Sequence, residues 1–438
     1  MRMKLNRSSQ LLLVSAAGLL TSGLISACGT RTVDFVYVTS SKAAGANNYG
    51  EVDVLEVNSE SGKMRAIPTS PFPSGGRDPV AEAVGTNFDN LYVVNQDDND
   101  VVQFAIGSDG KLYPQNTVNT PGVFPVGVAV SQSLMFVADT YQPLPSCSPA
   151  EPCSGSVAVF PLSSSGAPGA AVANPANQAN YWPLLAPCNN SDIVTPSAVT
   201  VLPSGKFLYV TAYDTTAAAN NAAAGPSASP CDTSGNGTAP TGYVFAFSVG
   251  SSGALAAVKG SPFAVGTSPA AIKSVDPTSL AGTPDSANLF VTDYENGAVY
   301  AYAVSSTGAL ARVSGSPFGA GNGADAIAVD GSGSYAFVGN GLDNTMTAYT
   351  ISNGALSSFG TFATGTQPVA AMVDHRTGQY VYTANYLGPS VTGYQIIPGG
   401  TPTLYVVQKS PFTTDAQPTA IVDIPHNGTC TTCSSSSQ

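Results

Sequence analysis

The sequence predicts an all-β chain folded as a seven-bladed propeller with four-stranded blades, and three observations carry that expectation. A short aromatic and β-branched run of approximate form Tyr/Phe-Val-x-Asn/Asp begins at Tyr37, Tyr92, Phe136, Tyr209, Phe290, Phe337 and Tyr382. A strand-rich unit of about 45 residues repeated in this way indicates blades set around an axis. Turn residues separate the runs at regular intervals, and each interval has room for three further strands. Finally, one position of the strand before each run is filled by a small residue in every copy, as strands converging on a crowded axis require.

Within a repeat the elements follow in order. An inner strand such as Pro368 to Val373 leads to the aromatic second strand, Tyr380 to Tyr386, and then to a third strand, Ser390 to Ile396. Period-two alternation is clearest in the third strand Ala298-Val299-Tyr300-Ala301-Tyr302-Ala303-Val304. Gly-x-Leu or Gly-x-Met announces the fourth strand at Gly62, Gly110, Gly253, Gly308 and Gly354, and Ser-Pro-Phe closes blades at Ser70, Ser261, Ser316 and Ser410. Aligning the inner strands on Pro79, Pro125, Pro196, Pro269, Ala324, Pro368 and Pro418 places Ala81, Gly127, Ala198, Ala271, Ala326, Ala370 and Ala420 at the small position. The chain begins with a second strand at Phe35 and ends with an unclaimed inner strand, Pro418 to Ile424. The C-terminal strand is therefore expected to complete the first blade and close the ring, removing an exposed sheet edge.

The N-terminus supplies an address. Arg2, Lys4 and Arg7 precede an apolar stretch from Leu11 to Leu20, followed by Leu24-Ile25-Ser26-Ala27-Cys28. A secretory signal of this length is too short to span a membrane and is removed from the mature chain. The last five residues resemble a bacterial lipobox, in which Cys28 is lipidated, and acyl chains on that cysteine would hold the protein on a leaflet. Gly29 in place of Asp favours the outer membrane by resemblance to enterobacterial sorting. The expected organisation is a signal peptide over 1–27, a lipidated tether over 28–34, the propeller over 35–424 and a Cys/Ser-rich tail over 425–438.

Apart from Cys28, six cysteines remain: Cys147, Cys153, Cys188, Cys231, Cys430 and Cys433. An even number in an exported chain reads as disulfides. Proximity suggests Cys147 with Cys153 and Cys430 with Cys433, leaving Cys188 with Cys231 to join two insertions. Cys430, Cys433 and His426 also offer three metal ligands or a redox pair, with no fourth ligand evident nearby, so no metal or cofactor is expected. The formal net charge is −12, which disfavours nucleic acid and anionic lipid as partners because like charges repel.

The Tyr-Val-Thr-Asn-like second strands, Gly-x-Leu fourth strands and Ser-Pro-Phe closures resemble those of the lactonase-type seven-bladed propellers, from about Phe35 to Ile424. That resemblance implies a fold, and it implies enzymes similar to 6-phosphogluconolactonase or carboxymuconate cycloisomerase only where the site is present. Such enzymes use histidine, arginine and glutamate at the mouth of the channel. Here the starts of the inner strands contain no histidine. The two histidines are His375, in a turn with Arg376, and His426 in the tail. Basic residues are few, which argues against a phosphorylated substrate.

Glu82 and Lys273 are polar residues at inner-strand positions that are small or apolar in the other copies. With Arg77, Asp78 and Asp325 they are the candidates for a polar cluster at the channel, against a structural reading in which Glu82 is solvated or ion-paired. Asn95, Asp139, Asp293, Asn340 and Asn385 are expected to cap turns. Asp97, Asp98 and Asp100 form a possible calcium-binding group, but a solvated hairpin turn is the stronger reading. Tyr181 and Trp182 are expected to anchor a loop on a blade, and Asp214 to Thr241 to form a flexible surface loop. The favoured function is a ligand- or protein-binding scaffold in the cell envelope, with an envelope protein or a carbohydrate as partner. The alternatives are a lactone hydrolase or cycloisomerase using Glu82 with Arg77 or Lys273, and a structural component of an envelope assembly.

Overall fold

Seven antiparallel sheets of four strands each stand around a common axis in the computed structural model of the chain. It describes residues 32–44, 47–143, 147, 153–187, 192–224, 240–266 and 275–426. Blade 1 is built from both ends of the chain: Pro418–Pro425 is its inner strand, followed outward by Thr32–Ala44, Tyr49–Asn58 and Met64–Ala66. Val38 pairs with Ile421 and Asp34 with Pro425, so the C-terminal strand closes the ring as the sequence predicts. Pairing begins at Thr32, three residues before Phe35.

The core is divided among the blade interfaces. Seven apolar clusters form, each shared by two neighbouring blades. The closing interface joins Val36, Val38, Leu55 and Ile421 of blade 1 to Tyr382, Val391 and Phe412 of blade 7. This division is how a chain too long for one core buries its apolar surface.

The repeated motifs are stitches between and within blades. The tyrosine hydroxyl of the second strand donates to the carbonyl of the third-to-fourth-strand turn in the next blade: Tyr37 to Gly110, Tyr92 to Gly166 and Tyr209 to Gly308. Tyr382 of blade 7 donates to Gly62 of blade 1 at 2.7 Å, across the ring closure. Gly62, Gly110, Gly166 and Gly308 all have positive φ, a conformation glycine adopts without penalty. Each Ser-Pro-Phe breaks the outer strand in two, and its serine oxygen accepts the third-strand N–H left over at the break. The pairs are Val54 to Ser70, Ala246 to Ser261, Ala301 to Ser316 and Gly393 to Ser410, at 2.8–2.9 Å.

One inner strand lies elsewhere than the sequence alignment placed it. The innermost strand of blade 5 is Pro277–Gly282, with Pro277 opposite Asp293; it does not start at Pro269. The hairpin length decides the register. Pro79 and Asn95, Ala324 and Asn340, and Pro277 and Asp293 are all partners sixteen residues apart, whereas Pro269 stands much further from Asp293. Two proline-led apolar runs in tandem made the wrong one look eligible. Counted from Pro277, Ser279 takes the small position, Leu280 the slot of Glu82, and Ala281 the slot assigned to Lys273.

The inner strands run from one end of the ring, where fourth-to-first-strand loops and second-to-third-strand turns lie, to the other. We call the second end the entry end, because Thr32 pairs there with Asn58. The insertion bearing the Cys147–Cys153 disulfide and that beginning at Asp214 both leave from the opposite end. In the second, Thr215–Ala224 is an α-helix, capped by Asp214, whose carboxylate accepts the Ala217 N–H at 2.7 Å. Alanine-rich sequence behind an aspartate N-cap explains this departure from the expected loop. Cys28, Cys188, Cys231, Cys430 and Cys433 lie outside the described residues.

Candidate functional site

Near the start of three inner strands a side-chain hydroxyl bridges to the next blade. The hydroxyls of Thr278 and Thr419 donate to the carbonyls of Ala324 and Pro79, at 3.0 and 2.9 Å, and Ser197 does the same to Pro277. Asp325 occupies the equivalent position in blade 6. Its carboxyl is pushed up to about 7, mainly by burial and further by the carboxylate of Asp276. Asp276 is itself raised to about 6 by burial, Asp293 and Glu295. A short inward step from solvent thus collects acidic groups with no cation among the described residues to offset them.

Glu82 is buried between the inner strands of blades 1 and 2, with 7 % of its surface exposed. The Thr39 hydroxyl donates to its Oε2 at 2.6 Å, while Oε1 is enclosed without a hydrogen-bond partner. Burial pushes its carboxyl up to about 7 against the opposing pull of Thr39. A carboxyl in such surroundings holds its proton to higher pH than an exposed one.

Arg77 and Asp78 stand at the end opposite chain entry. The Arg77 Nε donates to Asp98 at 2.7 Å, its backbone N–H donates to the other Asp98 oxygen, and a terminal nitrogen reaches the Asp97 carbonyl. That half-exposed pair commits the guanidinium, and neither hydrogen bond nor ion pair joins Arg77 to Glu82. Asp78 takes a left-handed backbone conformation, φ 50°, and its carboxyl is raised by burial and by Asp97. Lys273 lies outside the described residues. The structure therefore holds Glu82 between the inner strands of blades 1 and 2 and brings Arg77, Asp78 and Asp325 to the end of the ring opposite chain entry, without gathering them around one substrate atom.

The other sequence-marked groups are structural. Asp139, Asp293 and Asn340 accept the backbone N–H groups of Gly122, Asp276 and Gly321. Asp100 accepts from Asn95 and Asp98 holds Arg77, so these two neighbouring carboxylates face separate partners. The Trp182 indole donates to the Leu255 carbonyl at 3.0 Å, pinning the loop of blade 3 to the outer strand of blade 4. A hollow of about 460 Å³ opens at the entry end among the turns around Ser131, Leu202 and Ser251, and no ionisable side chain lines it.

Sequence reasoning passed over a second polar centre, at the closing seam. Blade 1 has no first-to-second-strand turn, because the chain ends break it there, and the His375-Arg376 turn of blade 7 reaches into the gap. His375 Nδ1 meets Asp423 at 2.5 Å, and its backbone N–H donates to the same carboxylate. The ring stands edge-on to Phe88 of blade 2 at 5.6 Å, and Arg376 donates to the His426 carbonyl. Asp34, Asp374 and Asp423 are fully enclosed. Burial, reinforced by the other two carboxylates, raises Asp34 to about 10. The available signal was positional: Asp423 stands at the inner-strand register that is Val329 and Val373 in blades 6 and 7, a carboxylate where those blades carry an apolar residue.

A family model described as Lactonase, 7-bladed beta-propeller matches residues 35–181, which span the first three blades. Over those blades the chain matches the lactonase-type propeller family, and the whole chain has the seven-bladed propeller fold. The chain is similar in structure to a periplasmic gluconolactonase of Pseudomonas aeruginosa, with TM-score 0.66, 17% identity, and coverage of 90% of this chain and 99% of that one. It is similar also to candidate 6-phosphogluconolactonases of Bacteroides fragilis and Bacteroides uniformis. Their TM-scores are 0.67 and 0.65 at 17% and 15% identity, covering 91% and 90% of this chain and 99% and 100% of theirs. At such identities the likeness is one of fold. None of the curated proteins matches the chain.

Proposed function

We propose that this propeller is an exported binding scaffold, tethered to the cell envelope, probing its surroundings with the end of the ring opposite chain entry. One observation carries the reading: the polar candidates do not converge. Arg77 is held by Asp98 and Asp97, and Glu82 is enclosed against Thr39, so the groups an enzyme would need around one atom are held apart by separate partners. The binding end is framed by the insertions of blades 3 and 4 and carries Asp78, Asp97, Asp276, Glu295, Asp325 and Asp343, which suits a cationic envelope partner. The lipobox ending at Cys28 and the even remainder of cysteines support the tether and an oxidising compartment.

Hydrolysis of a neutral sugar lactone is the second reading, favoured by the Glu82 carboxyl held near 7 with one unpartnered oxygen. The scarcity of cations at this end speaks against phosphorylated lactones. The test is turnover of a panel of sugar and aromatic lactones by the protein lacking residues 1–28, beside Glu82→Gln. No turnover by folded protein is expected. Turnover abolished in Glu82→Gln would replace the scaffold reading with an enzymatic one.

A further inference from the structure

The described cations are distributed unevenly along the axis of the propeller. Lys63, Lys111, Lys206 and Arg376 lie in turns at the entry end, and Arg65 and Arg312 lie on outer-strand segments that pair with the entry-end halves of third strands. Lys259 and Lys409 sit on the outer rim. The opposite end holds Arg77, already paired with Asp98, and Lys42, near the far end of the strand Thr32–Ala44. Besides Asp98, seven exposed or half-exposed carboxylates lie there: Asp78, Asp97, Asp276, Glu295, Asp325, Asp343 and Asp415. The entry end, with Glu56 holding Arg65 and Asp109 holding Lys111, is close to charge balance. The ring is an electrical dipole with its negative pole away from the N-terminus.

The tether would act on this dipole. Cys28 stands four residues before Thr32, and Thr32 is already paired with Asn58 at the entry end. Four extended residues reach at most about 14 Å. A six-residue strand is itself about 20 Å long, so a tether of this length cannot pass along a blade to bring the far end to the bilayer. We propose that the entry end of the propeller lies against the anionic membrane surface and that the acidic end is held facing away from it; this rests on the reading of Cys28 as the lipidated residue. The two constraints agree. Membrane charge is screened within about 8 Å at physiological salt, so the acidic end, one strand length away, escapes repulsion that it would meet in full if the ring were inverted.

The experiment is hydrogen exchange on the acylated full-length protein in phosphatidylglycerol-containing vesicles, compared with the same protein in neutral detergent. Amides in the entry-end turns at 85–89, 107–111, 202–206 and 305–308 are expected to exchange about tenfold more slowly on vesicles. Those at 96–99, 294–297 and 341–344 are expected to be unchanged. Protection at the second set, or at neither, overturns the orientation. The mass of the N-terminal peptide separates the causes: an acylated Cys28 without entry-end protection defeats the orientation alone, whereas an unmodified Cys28 defeats the tether and the orientation with it.

Discussion

Ser316→Ala tests whether Ser-Pro-Phe is the device that lets an outer strand break. In the wild-type protein the serine oxygen accepts the Ala301 N–H at 2.9 Å. On one side of the break Val313 donates to the Ala301 carbonyl; on the other, Val299 resumes pairing with Phe318. Ala301 is fully buried, so the substitution leaves a backbone donor without water or protein to accept it. An unsatisfied buried donor costs about 1–3 kcal/mol. With an unfolding entropy of about 2.1 cal/mol/K per residue, a propeller of this length has a slope of roughly 0.8 kcal/mol/K. A loss of about 2 kcal/mol then lowers Tm by roughly 2–3 °C. Urea unfolding of Ser316→Ala beside the exposed control Ser358→Ala reads the difference. A variant within about 0.3 kcal/mol of both wild type and control would show that water or an altered strand path satisfies Ala301, and the account of the motif would fail.

Tyr382→Phe should remove the bond to Gly62 across the ring closure and cost about 1 kcal/mol in urea unfolding, while the lost hydroxyl leaves the buried ring in place. Glu82 gives a pH signature. Its folded carboxyl is raised from the ordinary 4.5 to about 7 by burial, so its contribution is fully present at low pH and is lost as pH rises from about 4.5 through 7. The loss is bounded at roughly 3 kcal/mol. Glu82→Gln should flatten that part of the stability profile, and an unchanged slope between pH 5 and 8 would refute the assignment. At the seam, burial draws the His375 pKa down, but Asp423 outweighs it and the net shift is upward. With only two histidines in the chain, proton NMR can follow the ring directly: Asp423→Asn should move the His375 midpoint downward, and a stationary midpoint would dissolve the pair.

The repeats were legible because each encodes a local requirement many times over. Tyr37, Tyr92, Tyr209 and Tyr382 were visible as a motif before their common acceptor was known, and Ser70, Ser261, Ser316 and Ser410 were visible as closures. Their partners lie in the next blade or across a sheet, and no pattern along the chain names them. Blade 5 shows the limit: Pro269 and Pro277 both begin plausible inner strands, and only the constant hairpin length distinguishes them. Lys273 entered the candidate site through that ambiguity. His375 was read as a turn residue because Asp423, its partner, is nearly fifty residues away and belongs to a blade assembled from both chain ends.

By itself the sequence determined the architecture: seven aromatic second strands, small residues on the inner strands, and a missing inner strand at one end supplied from the other. Those properties are periodic and follow from local sterics and burial, which the order of residues records. Tertiary structure decided what the polar side chains do. Whether Glu82 meets Arg77 or Thr39, whether a carboxylate caps its own turn or holds a distant histidine, and which end of the ring collects negative charge depend on how neighbouring blades juxtapose groups remote in the chain. Electrostatic energy follows distance and burial rather than sequence position, so these relations became readable only once the blades were in place.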